Sequence, residues 1–166
     1  MKEQTDREAS IPTSNERKGN KSLHEIMTAN PSTVSPKDDI QKAARLMVEC
    51  DCGALPVVGD DKKVVGMITD RDIVVRLIAN GRNPLEAKVT DAMSSEIHTV
   101  SENDSIDQVF RAMRDHQVRR IPVVNDRGEV IGIIAQADMA LETSNDEKVG
   151  EAVEQISRPE ESRPDR

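Results

Sequence analysis

An α/β fold built from two copies of one small unit is what this sequence predicts, on three observations. The chain repeats itself without a gap at an offset of 66 residues, each copy alternates a helix-period apolar stripe with short β-rich runs, and the apolar residues are aliphatic apart from Phe110. Such a period marks supersecondary units that bury a core only by packing together. Met27 falls on Met93, Thr33-Val34-Ser35 on Thr99-Val100-Ser101, Asp38 on Asp104, Ile40 on Ile106, Arg45 on Arg111 and Met47 on Met113. The register continues through Leu55-Pro56-Val57-Val58 on Ile121-Pro122-Val123-Val124, Asp60 on Asp126, Gly66 on Gly132 and Asp72 on Asp138.

Within each copy the elements follow in the same order. A Met turn leads into a short Thr-Val extended piece, and Pro36 then opens a helix that begins near Asp38 or Asp39. Ile40, Ala43, Ala44, Met47 and Val48 lie on one face of a 3.6-residue period, and Ile106, Val109, Phe110 and Met113 repeat that face. The next runs, LPVV and IPVV, carry a Pro that a strand tolerates only at its start or edge. A turn follows, Gly59-Asp60-Asp61-Lys62 in copy one and Asn125-Asp126-Arg127-Gly128 in copy two. Val64-Val65-Gly66-Met67-Ile68 and Val130-Ile131-Gly132-Ile133-Ile134 then read as strands buried on both faces, and a second helix follows each. The methionines at 47, 67 and 113 fall on core faces.

Composition shifts set the expected boundaries: a polar, disordered tail over 1–21, copy one over 22–82, copy two over 83–142, and an acidic tail over 143–166 with a short helix at about 147–156. The joint Asn80-Gly81-Arg82-Asn83-Pro84 carries strong turn punctuation. A formal charge of −8 and a pI near 5.0 oppose nucleic-acid binding, which rests on Lys and Arg at phosphates. No apolar run reaches the roughly 20 residues of a membrane span and the first 20 residues show no secretion signal, so the expectation is a cytoplasmic protein without a membrane partner. Cys50 and Cys52 stand two apart with no Cys or His at metal-site spacing, so neither a disulfide framework nor a zinc site is signalled. By the offset, Cys52 matches Val118 and reads as a small buried hydrophobe, whereas Cys50 matches His116 and reads as exposed.

The tandem β-α-β-β-α unit, with its Met turn, [LI]-P-V-V strand and GMITDRD or GIIAQAD close, resembles the CBS-domain pair, or Bateman module, over Leu23 to Leu141. That resemblance implies two tandem β-α-β-β-α CBS motifs packed pseudo-symmetrically through their sheets, a homodimer, and clefts between the copies that take adenosine compounds. AMP, ADP, ATP and S-adenosylmethionine are the candidate ligands, with no cofactor required and no metal. Carried onto this chain, the ribose site would be Thr69 and Asp72, whose carboxylate offers two oxygens to the two ribose hydroxyls. Adenine would lie against Thr33, Val34, Leu55 and Pro56. Arg119 and Arg120 match positions where the family places basic residues on phosphates, a task suited to the guanidinium fork. His98, one residue before Thr99 in the first strand of copy two, sits beside the presumed adenine pocket and is a further candidate contact.

The copies differ where the chemistry would lie. Asp138 is present in copy two, but Ala135 stands where copy one has Thr69, and copy one has Gly53 and Ala54 where copy two has Arg119 and Arg120. One good site per chain is the expectation. Each motif also has a plainer reading. Thr69 to Asp72 is a capping box at a helix start, Arg119 and Arg120 could be a solvated patch near Asp115, and His24, His98 and His116 lie in separate segments.

No P-loop, metal cluster or nucleophile with a nameable base appears, so no catalytic residue is assigned and the chain is expected not to be an enzyme. The expected function is a regulatory adenine-nucleotide sensor whose ligand modulates an unknown protein partner or the dimer. The alternative is a ligand-independent dimeric scaffold.

Overall fold

The repeat offset reappears in the strand pairing. The computed structural model describes residues 22–142 and Glu154; the expected tails, Glu154 apart, lie outside the described residues. In chain order the elements are α1 (Leu23–Ile26), β1 (Thr28–Ala29), α2 (Ile40–Glu49), β2 (Ala54–Val58), β3 (Val64–Thr69), α3 (Asp70–Arg76), two single 3-10 turns (Ile78–Asn80 and Val89–Asp91), β4 (Val100–Ser101), α4 (Ile106–His116), β5 (Arg120–Val124), β6 (Val130–Ala135) and α5 (Gln136–Glu142). One sheet runs β1-β6-β5-β4 and the other is the hairpin β2-β3. Bridges Val34↔Val57 and Met67↔Ser94 extend the hairpin to the same plan.

Thr28 pairs with Ile133, and its counterpart Ser94 pairs with Met67. The leader segment of each copy therefore joins the other copy's sheet. The cores agree. Leu23 and Ile26 pack with Val100, Val109, Met113, Ile121, Val123, Ile134 and Met139, while Val89 and Ala92 pack with Val34, Ile40, Met47, Leu55 and Ile68. Backbone bonds secure the exchange, with the Ile40 amide donating to Ala87 O at 3.1 Å and the Val89 amide to Asp38 O at 2.8 Å. In space the two units are interleaved across the sequence boundary at 82/83, so each depends on residues supplied by the other.

The exchange explains the two glycines of the last strands. A Cβ at Gly66 would stand 2.6 Å from the Ser94 carbonyl oxygen, and one at Gly132 would collide with the Met27 side chain. Only a residue without a Cβ lets the crossing leader approach so closely.

The structure corrects three packing expectations. On α2 the buried stripe is Ile40, Ala43 and Met47, whereas Ala44 is exposed and Val48 is 82% exposed; the sheet covers only half of the apolar face. Strands β3 and β6 are not buried on both faces, since both follow one alternating pattern with Ile68 and Ile134 buried and Val65, Met67, Ile131 and Ile133 half-buried. Met67 leaves the core for the same reason, its side of the sheet facing a cleft. Both expected turns form, with the left-handed residue Lys62 (φ 64°) in copy one and Gly128 (φ 79°) in copy two.

Candidate functional site

The interleaving creates two clefts, and their linings correspond in large part under the repeat offset. The first, about 390 Å³, takes Ala54, Met67, Thr69, Asp70, Arg71 and Asp72 from copy one and Ser94, Glu96, Ile97, His98, Val118, Arg119, Arg120 and Pro122 from copy two. The second, about 250 Å³, is lined among others by Pro31, Ser32, Cys50, Cys52, Leu55, Arg120, Ala135 and Asp138.

Thr69 caps α3, where the chain passes from β3 into the helix. Its Oγ1 accepts from the Asp72 amide at 3.1 Å, and Asp72 Oδ2 in return accepts from the Thr69 amide at 3.0 Å and its hydroxyl at 2.7 Å. The capping box is thus formed. Asp72 Oδ1 keeps only an ion contact with Arg76 Nη2 at 3.5 Å. Arg76 itself is spent on the exchanged leader, donating to the Ala92 and Met93 carbonyls at 2.8 and 2.7 Å and to Ser94 Oγ at 2.8 Å. Asp72 is therefore held rigidly with one carboxylate oxygen that makes no hydrogen bond, half-buried at the cleft wall. In the second cleft Asp138 Oδ2 accepts only the Ala135 amide, at 2.8 Å, and no hydroxyl stands beside it.

Across the first cleft Arg119 and Arg120 are exposed, and among the described residues neither guanidinium has a hydrogen bond or ion pair. The Asp115 partner that a solvated patch would use is taken by Arg114 at 3.0 Å. Two cations without a partner among the described residues, in a cleft also lined by Asp70, Asp72 and Glu96, are available to an anionic ligand group. His98 lies flat against His116, ring centroids 3.5 Å apart and planes at 9°. Burial, reinforced by the neighbouring His116 and partly offset by Glu96, holds the His98 imidazole below its ordinary range. His24 lies elsewhere, 3.2 Å from Glu102.

The structure thus brings Thr69, Asp72, Arg119, Arg120 and His98 to one cleft. Leu55 and Asp138 line the other cleft, whereas Thr33, Val34 and Pro56 line neither of the two. The Val34 amide and carbonyl are already occupied, donating to Pro56 O and accepting from Val58 N. The apolar wall facing Thr69 and Asp72 is instead Ile97, His98, Val118 and Pro122, supplied by copy two. Sequence reasoning missed Ile97, Val118 and Pro122 there; Pro122 was legible as the offset partner of Pro56, and Val118 as that of Cys52.

Cys50 and Cys52 also depart from expectation. Their sulfurs are bonded, because Asp51 between them adopts a left-handed conformation (φ 48°) that folds the chain back. Cys50 is exposed as its offset partner implied, and Cys52 is half-buried against the first core. Among the described residues no cluster of three His, Cys, Asp or Glu is placed to hold a metal ion, and no helix is long and apolar enough to cross a membrane.

A tandem pair of α/β repeats, related by pseudo-twofold symmetry and enclosing two clefts at their joint, is the class of module that this fold and site define. The chain belongs to the CBS domain family, whose profile matches residues 23–79 and 89–145; a CBS pair is a regulatory module. It is 39% identical over 136 residues to the CBS domain-containing protein YhcV of Bacillus subtilis, covering 82% of this chain and 95% of that one. It is 40% identical to hypoxic response protein 1 of Mycobacterium tuberculosis over 70% of this chain and 80% of that one. The crystal structure of hypoxic response protein I, which has two coordinated zinc ions, superposes with a TM-score of 0.67 over 74% of this chain and 99% of that one at 37% identity. The CBS domain pair of MJ0100, in complex with 5′-methylthioadenosine and S-adenosyl-L-methionine, superposes with a TM-score of 0.66 at 26% identity over 74% and 95% of the two chains.

Proposed function

We propose that the first cleft binds an adenosine-containing molecule and that its occupancy is the signal this chain passes to a protein partner. The observation that carries the reading is the meeting, in one cleft, of the Thr69–Asp72 pair from copy one with the unpaired Arg119 and Arg120 from copy two. Asp72 Oδ1 accepts a ribose hydroxyl, Arg119 and Arg120 take the phosphates, and the base lies on Ile97, His98, Val118 and Pro122. The adenosine ligands of the MJ0100 pair support the class of molecule. A ligand bridging two interleaved copies favours one relative arrangement of them, and by linkage a partner that senses that arrangement alters ligand affinity equally.

The chain works as a homodimer in this reading. Val48, Val74, Val75 and Ile78 of copy one and Leu85 at the start of copy two are large apolar side chains left exposed, and a second copy of the chain covers them.

A thermal-shift panel of AMP, ADP, ATP and S-adenosylmethionine tests the ligand claim. At 100 times its dissociation constant a ligand adds about 2.7 kcal/mol, which raises the midpoint by several degrees. Asp72→Asn keeps an acceptor for the capping box but removes the carboxylate, so its ligand shift is expected to vanish while the unliganded melt stays close to wild type. No shift with any ligand would hand the function to a ligand-independent dimeric scaffold.

A further inference from the structure

The second cleft carries chemistry that the first lacks. Cys50 and Cys52 join across a single residue, with Cα atoms 5.3 Å apart, and both line this cleft together with Arg120 and Asp138. The repeat offset puts His116 and Val118 at the corresponding positions of copy two, so the pair belongs to this cleft alone. A disulfide stabilises chiefly by closing a long loop in the unfolded chain. This one closes a loop with a single intervening residue, so a structural staple does not account for it. Exposed disulfides that are not structural are commonly the labile ones that serve in exchange or sensing. The two sulfurs also differ in access, Cys50 being exposed and Cys52 half-buried, which separates an attacking from a resolving thiol.

We propose that Cys50 and Cys52 form a thiol–disulfide exchange site in the wall of the second cleft, taking a low-molecular-weight disulfide such as oxidised glutathione. In the oxidising direction the Cys50 thiolate attacks one sulfur of the small disulfide, forming a mixed disulfide and releasing one small thiolate. The Cys52 thiolate then attacks Cys50 Sγ, forms the bond seen in the structure and releases the second small thiolate. The two cysteine protons pass to the two released thiolates, so the protein loses two electrons and the small disulfide gains them. Cys50 caps the C-terminal end of α2, where the helix field disfavours a thiolate; Arg120, lining the same cleft, supplies the opposing positive charge. The state of the bond sets the shape of that cleft wall, which shares Arg120 and Ala54 with the first cleft.

The test uses the full chain equilibrated across ratios of reduced to oxidised glutathione, quenched by alkylation and read by mass spectrometry. The expected result is that both cysteines lose alkylation together in wild type, with the pair linked to each other. Cys52→Ser is expected to stop at a Cys50–glutathione adduct, and Cys50→Ser to react several-fold more slowly. Hydrogen exchange of the wild type in the two states gives a second readout. Protection is expected to differ at 51–54 and 135–138 and to be unchanged at 96–98. Two cysteines that alkylate independently at every ratio, a stable glutathione adduct on each, or identical exchange in both states would overturn the proposal. None of these readouts involves a nucleotide, so failure here is distinct from failure of the ligand reading.

Discussion

The two clefts are built from the same backbone and lined from corresponding positions, yet they offer opposite chemistry. The first has Thr69, His98 and Arg119, whose offset partners are Ala135, Ser32 and Gly53; Arg120 and Ala54 line both clefts, and the bonded Cys50 and Cys52 line the second. What both copies keep is what the backbone requires: Gly66 and Gly132 under the crossing leader, and Asp72 and Asp138 on the amide that opens a helix. Asp138 teaches the sharper lesson. A carboxylate at this position has a structural role even where the helix-capping residue carries no hydroxyl, so the presence of Asp72 alone does not define a binding site; its company does.

The interleaving gives the largest expected effect. Leu23→Ala removes a fully buried side chain and is expected to cost about 3 kcal/mol. Although Leu23 belongs to copy one in sequence, hydrogen exchange is expected to show the loss of protection in β5 and β6; a loss centred on β2 and β3 would break the exchanged-leader account. Next come the two glycines. Gly66→Ala meets a backbone carbonyl and is expected to cost about 3 kcal/mol, whereas Gly132→Ala meets the flexible Met27 side chain and is expected to cost about 1 kcal/mol, both read by denaturant unfolding. Equal costs would mean that the copies cross with the same rigidity.

The hairpin turns sharpen the comparison further. Lys62→Gly relieves a left-handed residue and is expected to stabilise by about 0.5 to 1 kcal/mol after the extra freedom of the unfolded chain is counted, while Gly128→Lys is expected to destabilise by about 1 kcal/mol. The smallest effect is pH-linked. His98 takes up a proton at about pH 6.5 when unfolded but at a lower pH when folded. Between those values the unfolded chain holds more protons, so stability falls as the pH drops through that window. His98→Ser, which installs the residue of the other cleft, is expected to make the melting temperature less sensitive to acid over that range.

Much of this was legible in the sequence, and the limits have one cause. An internal offset shows which residues correspond, and it located the strands, both helices of each copy, the capping carboxylates and the paired glycines. It is silent on partnership. Thr28 and Ser94 correspond whether each pairs with its own sheet or with the other, so the exchanged leaders were not legible, nor was the placing of Ile97, Val118 and Pro122 opposite Thr69 and Asp72. The Cys50–Cys52 bond depends on a left-handed Asp51, a conformation that spacing does not reveal. Val48 fitted the helical stripe, but which part of a stripe a sheet covers is decided by packing.

The central claim is that one of two symmetry-related clefts, and only one, is a nucleotide site. Isothermal titration of wild type, Asp72→Asn and Asp138→Asn with the ligand giving the largest thermal shift measures it directly. One equivalent is expected to bind per chain, retained in Asp138→Asn and lost in Asp72→Asn. Two equivalents per chain, or loss of binding in Asp138→Asn with Asp72→Asn unaffected, would contradict it.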